Sequence, residues 1–260
     1  MDKAPVDLAR RFGGTDRLYG ADGGSRLRAV HVCVVGIGGV GSWAAEALAR
    51  TGVGRITLID MDHVAESNVN RQIQATSDTL GMAKIHAMQQ RIASINPVCH
   101  VTGIDAFVES GNWPGILPED VDGVIDACDQ MRAKVAMAAW ALETQRLFIT
   151  VGAAGGKRKA EAITIADLSA CTHDPLMAEL RYQLRKHHGA AKAGKKIGLP
   201  CVYSSEPMHI PASIQDAAGG APRAVAGLNC SGYGSLVTVT ASCGMAAAGW
   251  MLNKLSESGK

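Results

Sequence analysis

The sequence lacks the paired cysteines from which structural zinc sites are built. Its seven cysteines are odd in number and scattered, and no two of them form a C-x-x-C pair. Zinc-ribbon and zinc-finger sites need closely spaced thiols, so this pattern disfavours such a site. Scattered single thiols are typical of a reducing compartment. The cysteines are Cys33, Cys99, Cys128, Cys171, Cys201, Cys230 and Cys243.

The sequence also has little excess charge and no secretory signal. A formal net charge of +2 creates no overall field of the kind that marks a DNA-binding protein, so any nucleic-acid contact must come from a local patch. Residues 1–24 lack the apolar stretch of about 7–15 residues that a signal peptide needs. We therefore expect a cytoplasmic protein, with peripheral membrane association left open. The apolar run over residues 235–252 is rich in small and hydroxyl residues, which favours a buried core helix over a membrane span.

Short apolar runs and helical periodicities alternate along the chain. An apolar run that stops at a glycine is typical of a buried parallel strand. The alternation predicts a Rossmann-like, doubly wound α/β fold that is parallel in its first half, with antiparallel strands added by the second half. Strands are predicted over residues 30–35, 55–59, 98–104, 121–125, 147–151 and 161–166, and helices over residues 39–51, 82–95, 132–142 and 175–188.

The length of the chain favours one domain. With 260 residues and 47% hydrophobic content, the chain can bury one large core, and we expect a single domain over residues 1–260. Residues 1–155 are predicted to form a nucleotide-binding half and residues 156–260 a substrate-facing half. Prolines and a glycine pair predict a flexible loop near residues 206–224.

A glycine-rich turn joins the first predicted strand to the first predicted helix. It reads G-I-G-G-V-G-S over residues 36–42, and Asp60 ends the second predicted strand. Small residues let backbone N–H groups approach a phosphate, and a carboxylate after the second strand can accept hydrogen bonds from a ribose. The turn therefore predicts a nucleotide-binding site. The candidate binding residues are Gly36, Gly38, Gly39, Gly41, Ser42 and Asp60.

Both ATP and NAD bind such glycine turns, so the turn alone does not identify the nucleotide. Two nearby cations favour ATP. Arg71 and Lys84 supply more positive charge than a diphosphate needs, but they suit a triphosphate and its departing pyrophosphate. We therefore expect ATP rather than NAD.

Two carboxylates follow the fourth predicted strand. Asp126 and Asp129 flank Cys128 at the edge where open α/β sheets bind ligands. A carboxylate there can hold Mg²⁺ against the phosphates, and Asp129 is the metal candidate. For Asp126 a helix cap or a brace for the loop stays an open alternative.

These segments together resemble the E1-like family of adenylate-forming enzymes, which includes the molybdopterin- and thiamine-pathway enzymes. The shared motifs are G-x-G-G-x-G-S, D-x-D at 60–62, S-N-x-N-R-Q at 67–72 and G-x-x-K at 81–84. A closer resemblance, to the tRNA threonylcarbamoyladenosine dehydratase branch, extends over nearly the whole chain. Its motifs include R-L-Y-G at 17–20, D-P-L at 174–176, C-V-Y-S-S-E at 201–206 and S-G-Y-G at 231–234.

The resemblance implies ATP-dependent cyclisation of N6-threonylcarbamoyladenosine in tRNA through a carboxyl-adenylate. It implies ATP and Mg²⁺, and it leaves open a monovalent cation and a cysteine desulfurase or sulfur-acceptor partner. It also implies a homodimer in which Arg17 reaches the phosphates of the partner subunit. Within one subunit the implied roles are Asp60 at the ribose, Arg71 and Lys84 at the phosphates, Asp129 at the magnesium, and Asn68 and Gln72 in orienting the nucleotide or its arginine neighbour. Asp62 is a further candidate for the nucleotide site.

Cations of the second half are candidates for the tRNA contact. Residues 181–196 contain several cations and no acid. Lysine and arginine contacts to phosphates would make tRNA affinity depend on salt. The candidates are Lys157, Arg158, Lys159, Arg181, Arg185 and Lys186.

Other functions remain open on the sequence. The chain could adenylate the C-terminus of a ubiquitin-like sulfur carrier, although the missing zinc pairs disfavour this. An NAD-dependent oxidoreductase and a non-catalytic nucleotide sensor are further alternatives. Because ubiquitin-type relatives pass the acyl group to a cysteine, Cys201 and Cys230 are candidate thiols, but a buried cysteine is more often a small hydrophobe.

Overall fold

The computed structural model describes residues 6–209 and 233–257, which contain a seven-stranded sheet with helices on both faces. The strands are β1 (His31–Val35), β2 (Arg55–Ile59), β3 (His100–Ile104), β4 (Gly123–Asp126), β5 (Leu147–Val151), β6 (Ile163–Asp167) and β7 (Pro200–Ser204). The helices are α1 (Leu8–Ala29), α2 (Gly41–Thr51), α3 (Lys84–Ile95), α4 (Met131–Thr144), α5 (Pro175–His187) and α6 (Val237–Glu257).

The sheet has the order β3-β2-β1-β4-β5-β7-β6. Neighbouring strands are parallel except β6 and β7, which are antiparallel. This confirms the predicted α/β fold; of the two strands from the second half, β7 extends the parallel part and β6 is antiparallel. The winding reverses between β1 and β4, where open α/β sheets bind ligands beyond the carboxyl ends of their strands.

The central strand β1 is buried on both faces. Val32 and Val34 belong to the core that includes residues of α2, α3 and α6, whereas Cys33 and Val35 belong to the core that includes α4 and α5. Successive strand side chains point to opposite faces, so a strand covered on both sides must be apolar throughout. This explains why the run is apolar without alternation.

Every strand and helix predicted above is present, and each end lies within two residues of its predicted position. The predicted core helix near the C-terminus is also confirmed, because Val239, Cys243, Ala247 and Met251 of α6 are buried. None of the helices in the described ranges combines the length and the hydrophobicity that a membrane span requires.

The sequence interpretation missed α1 and β7. Helix α1 carries glycines and charges and buries few residues, and its backbone breaks at Gly20, where φ is +75°. With so few buried residues and a break in its backbone, α1 has no clear helical periodicity of apolar residues. Beyond residue 209, the predicted loop near residues 206–224 lies outside the described residues, as does Cys230.

Candidate nucleotide-binding site

A cavity of about 870 Å³ opens at the carboxyl edge of the sheet. Gly36, Asp60, Ala127 and Gly152 line it, and each directly follows a strand: β1, β2, β4 and β5 respectively. The cavity therefore lies where the winding reverses, and its size falls within the range of small-molecule sites.

The glycine loop forms one wall of this cavity. Gly36 has φ of +84°, and a Cβ there would lie 2.8 Å from the backbone nitrogen of Cys128. Gly38 and Gly39 line the cavity with their backbone exposed to it. Side chains at these positions would narrow the approach to a phosphate, which is why the wall needs small residues.

Two further residues of the predicted loop lie behind the wall. Gly41 and Ser42 are buried in the first turn of α2 and are not among the described lining residues. A Cβ on Gly41 would lie 1.8 Å from the carbonyl oxygen of Gly36. Glycine at position 41 therefore permits the turn to form, and the structure gives neither residue a surface for direct nucleotide contact.

Asp60 connects the end of β2 to the glycine loop. Its Oδ2 accepts the backbone N–H of Ile37 at 2.6 Å, and its Oδ1 accepts that of Asp62 at 2.8 Å. Burial raises the pKa of Asp60, while the charge of Lys84 and these two hydrogen bonds oppose the rise. The carboxylate lines the cavity and also holds the loop in place.

The two predicted cations line the same cavity. Lys84, the first residue of α3, is 6% exposed, and its Nζ lies 2.7 Å from Asp62 Oδ2 and 4.0 Å from Asp60 Oδ1. Arg71 donates through Nη1 to the carbonyl of Ser67 at 2.5 Å. The cavity therefore holds two cations beside the glycine loop, as the spacing predicted.

Side-chain amides tie the segment after β2 to the glycine loop. Asn68 is buried, and its Oδ1 accepts the backbone N–H of Ala65 at 3.0 Å. Gln74 donates both to the carbonyl of Ile37 at 2.9 Å and to Oε1 of Gln72 at 3.1 Å. Asn68 and Gln72 line the cavity, so the predicted residues are brought together.

The two carboxylates after β4 have different surroundings. Asp126 is fully buried against Lys134, with 2.8 Å between Oδ2 and Nζ, and does not reach the described cavity lining. It braces the loop, whereas Gln130 is the N-cap of α4. Asp129 is exposed and lines the cavity.

Further lining residues come from parts of the chain that the sequence interpretation did not assign to the site. They are Phe107, residues 152–155, Ser235 and Thr240. Asn70 also lines the cavity and donates to the carbonyl of Ser235 at 3.1 Å, joining both halves of the chain. Asn70 could have been predicted as a site residue, because it precedes Arg71 in the S-N-x-N-R-Q motif. Phe107 belongs to no motif, so the sequence gives no reason to assign it to the site.

Comparison with known proteins identifies the family. A model of the ThiF family matches residues 15–260. The chain belongs to the ThiF family. The tRNA threonylcarbamoyladenosine dehydratase of Escherichia coli (strain K12) is 44% identical over 254 residues, which cover 95% of this chain and 93% of that protein.

Solved structures of the E. coli dehydratase agree with this ThiF-family membership. Its complex with ATP has a TM-score of 0.86 at 41% identity and covers 96% of each chain. Its complex with AMP has a TM-score of 0.84 at 41% identity and covers 96% of this chain and 98% of that one. The predicted resemblance is confirmed both for the family and for the dehydratase branch.

The predicted tRNA contact of Lys157 is wrong. In this ThiF-family chain, Lys157 is 2% exposed, and its Nζ donates to the backbone carbonyls of His173 at 2.8 Å, Ser204 at 3.4 Å and Glu206. Burial lowers the pKa of Lys157, with the nearby carboxylates of Asp174 and Glu206 acting against it. Its ammonium therefore bonds to two separate segments, at residue 173 and at residues 204–206, and has no exposed surface for RNA.

The other predicted tRNA residues lie at the surface to differing degrees. Arg158, Lys159 and Lys186 are exposed. Arg181 and Arg185 are partly exposed, because each donates to backbone carbonyls: Arg181 to Leu168 and Cys171, and Arg185 to Ala191. Arg17 is exposed on α1 and stands outside the described lining of the cavity.

The surroundings of Cys201 and Cys128 do not favour a nucleophilic thiolate. Cys201 is fully buried away from the cavity lining, and hydrogen bonding with Cys171 together with burial raises its pKa. Cys128 lines the cavity, but burial and the charge of Asp126 raise its pKa. Since the thiolate is the nucleophile, neither position favours a covalent stage.

Proposed function

We propose that this chain is an ATP-dependent tRNA threonylcarbamoyladenosine dehydratase. It would cyclise N6-threonylcarbamoyladenosine in tRNA through a carboxyl-adenylate, with the net loss of one water. The observation that carries the proposal is the 44% identity to the E. coli dehydratase across 95% of this chain. The cavity supports it independently, because a glycine loop and two cations converge there.

The reaction has two steps. The carboxylate of the threonylcarbamoyl group attacks the α-phosphorus of ATP, and the bond to the departing pyrophosphate breaks. An atom of the carbamoyl unit then attacks the activated carbonyl and closes the ring. The bond between that carbonyl carbon and the AMP oxygen breaks, so one carboxylate oxygen leaves with AMP, and an N–H proton of the carbamoyl unit is released to solvent. Because the second nucleophile belongs to the same molecule, proximity replaces an external nucleophile.

Arg71 and Lys84 stabilise the charge that develops as pyrophosphate leaves. Both line the cavity beside the glycine loop. The ammonium of Lys84 is almost fully buried, and charges interact more strongly where water is excluded. Asp60 lies on the wall next to them and is the candidate acceptor for ribose hydroxyls.

The donor set fits magnesium that arrives with the nucleotide. Among the described residues, no group of three or more His, Cys, Asp or Glu side chains could hold a metal alone. Mg²⁺ commonly binds through one or two carboxylates while phosphates and waters complete its shell. Asp129 supplies one exposed carboxylate at the cavity. Magnesium held there would neutralise phosphate charge.

The position of Arg17 supports a site completed by a second subunit. Its exposed side chain lies outside the cavity lining of its own chain, so it is available to another copy. An arginine supplied in trans would neutralise phosphate charge as pyrophosphate departs. The proposed protein is thus a homodimer, and its scattered single thiols support the proposed cytoplasmic location. A monovalent cation and a sulfur-acceptor partner stay predictions from resemblance.

Helix α5 supports a tRNA path from the cavity to the surface. Leu176 near its first turn lines the cavity, while Arg185, Lys186 and His187 occupy its last turn. A helix of this length spans about 20 Å. Tyr182 is 52% exposed, with Lys186 Nζ 5.4 Å from its ring centre. The phosphates of the tRNA would contact the basic C-terminal turn of α5 while the modified base enters the cavity.

The decisive experiment incubates the protein with ATP, Mg²⁺ and tRNA that carries threonylcarbamoyladenosine. We expect mass spectrometry of the digested nucleosides to show the loss of one water, with AMP formed in equal amount. No mass change with this tRNA would overturn the proposal. Pyrophosphate exchange that requires a ubiquitin-like carrier and ignores tRNA would instead support the sulfur-carrier alternative.

A further inference from the structure

A buried ion pair lies beneath the cavity wall. Asp126 ends β4 and Lys134 lies near the start of α4, and both are fully buried, with 2.8 Å between Oδ2 and Nζ. Thr150 on β5 donates to the same carboxylate oxygen at 2.6 Å. None of the three belongs to the described cavity lining, so they act on a nucleotide only through other residues.

The second oxygen of Asp126 holds the segment that forms the wall. Its Oδ1 accepts the backbone N–H of Cys128 at 3.2 Å and the thiol of Cys128 at 3.0 Å. The backbone of Cys128 packs against Gly36, where a Cβ would lie 2.8 Å from the Cys128 nitrogen. Asp129 follows immediately and lines the cavity. One buried carboxylate is thus connected to both the glycine loop and the candidate metal ligand.

We propose that Asp126 and Lys134 form a positioning pair that holds residues 127–129, and with them the glycine loop and Asp129, in the geometry that binds nucleotide phosphates. This inference deepens the proposed function and rests on it. Replacing a buried ion pair by apolar residues often leaves stability unchanged or improves it, so stability alone does not explain the pair. A charged acceptor holds an N–H group more strongly than a neutral one does.

The test compares Asp126→Asn with Glu46→Gln. Glu46 on α2 is also a buried carboxylate, paired with Arg91 at 2.7 Å, but it lies outside the described cavity lining. We expect Asp126→Asn to weaken ATP binding in titration calorimetry by about tenfold, since the segment loses its charged acceptor. Amide exchange at Cys128 should become faster. Glu46→Gln should lower the melting temperature and leave ATP affinity within about twofold.

Unchanged ATP affinity and unchanged Cys128 exchange in Asp126→Asn would overturn the inference. If that variant does not fold, Thr150→Val decides, because it removes one hydrogen bond to Asp126 and keeps both charges. A loss of ATP affinity of about threefold is then expected, and no loss would overturn the inference. Wild-type protein that binds ATP but leaves tRNA unchanged would overturn the proposed function alone, since these readouts need no tRNA.

Discussion

At the scale of single residues, the glycine loop depends on two different constraints. Gly36 combines a φ of +84° with close contact to the backbone of Cys128. Gly41 has no room for a side chain, because a Cβ would lie 1.8 Å from the carbonyl of Gly36. Conformation and space together require glycine at position 36, which makes it the more informative position to change.

We expect Gly36→Ala to weaken ATP binding by about tenfold or more, because the new methyl strains the backbone and displaces the segment that carries Asp129. Titration calorimetry with ATP measures the effect. Gly189→Ala is the matched control: its φ is +65°, and among the described residues no atom beyond its two chain neighbours lies within 4 Å of the added Cβ. It should lower stability while leaving ATP affinity unchanged, and an equal loss in both variants would contradict the explanation.

Arg71→Ala should lower the turnover rate by about 10²–10³, the usual loss when a donor to developing charge is removed. Arg71→Lys should recover part of the rate, because it restores the charge without the planar group. Quenched-flow measurement of AMP formation gives both values. Arg50→Ala serves as control, since Arg50 is exposed and bound to Glu46. Near-normal turnover in Arg71→Ala would refute the assignment.

At the scale of secondary-structure elements, α5 connects the cavity to the basic surface. Asp174, its N-cap, accepts the N–H of Met177 at 3.1 Å through Oδ1 and that of Ala153 at 3.0 Å through Oδ2. The same side chain therefore starts the helix and holds a strip of the cavity wall. The far end of α5 carries basic residues, which also suit the negative end of the helix dipole.

Charge reversal at that far end should weaken tRNA binding. For Arg185→Glu combined with Lys186→Glu, we expect affinity to fall and the salt dependence of log K to become shallower by about one per lost phosphate contact. ATP affinity should stay unchanged, because neither residue lines the cavity. Filter binding at several salt concentrations measures this. Identical slopes in wild type and variant would remove α5 from the tRNA surface.

The link between β6 and β7 should be sensitive to acid. Although partial burial acts the other way, hydrogen bonds from Ser169, Ile197 and Gly198 lower the pKa of Asp167. A carboxyl whose folded pKa is depressed stabilises the protein above its unfolded pKa of about 3.9, and this contribution is lost as pH falls through the folded value. Between pH 7 and pH 2, the melting temperature should therefore decrease less steeply for Asp167→Asn than for the wild type.

At the scale of the whole molecule, the proposed dimer predicts complementation between inactive variants. Arg17→Ala and Asp129→Ala should each be nearly inactive alone. If Arg17 acts in trans, a mixed dimer contains one intact site, and random mixing should restore about a quarter of wild-type activity. Co-refolding the two variants and measuring AMP release tests this. No recovery, with mixed dimers confirmed by mass spectrometry, would place Arg17 in its own subunit's site.

Sequence patterns predicted the structure well where neighbouring residues in the chain determine a residue's environment. The buried run of β1 and the glycines after it follow from strand and turn chemistry alone. The basic residues were harder to interpret, because Lys157, Arg158 and Lys159 are adjacent in sequence, yet Lys157 alone among them is buried. Its carbonyl partners come from residues 173, 204 and 206. No periodicity within residues 157–159 indicates this.

Short spacings along the chain were enough to predict the alternating strands and helices, the glycine loop with its two cations, and the resemblance to adenylating enzymes. The sequence left two roles open for Asp126, and the structure was needed to show that it is a buried brace, since its partners Lys134 and Thr150 come from α4 and β5. The structure also brought residues 152–155 and 234–235 into the lining of the cavity. Burial depends on which distant elements pack together, and local sequence pattern carries no information about that pairing.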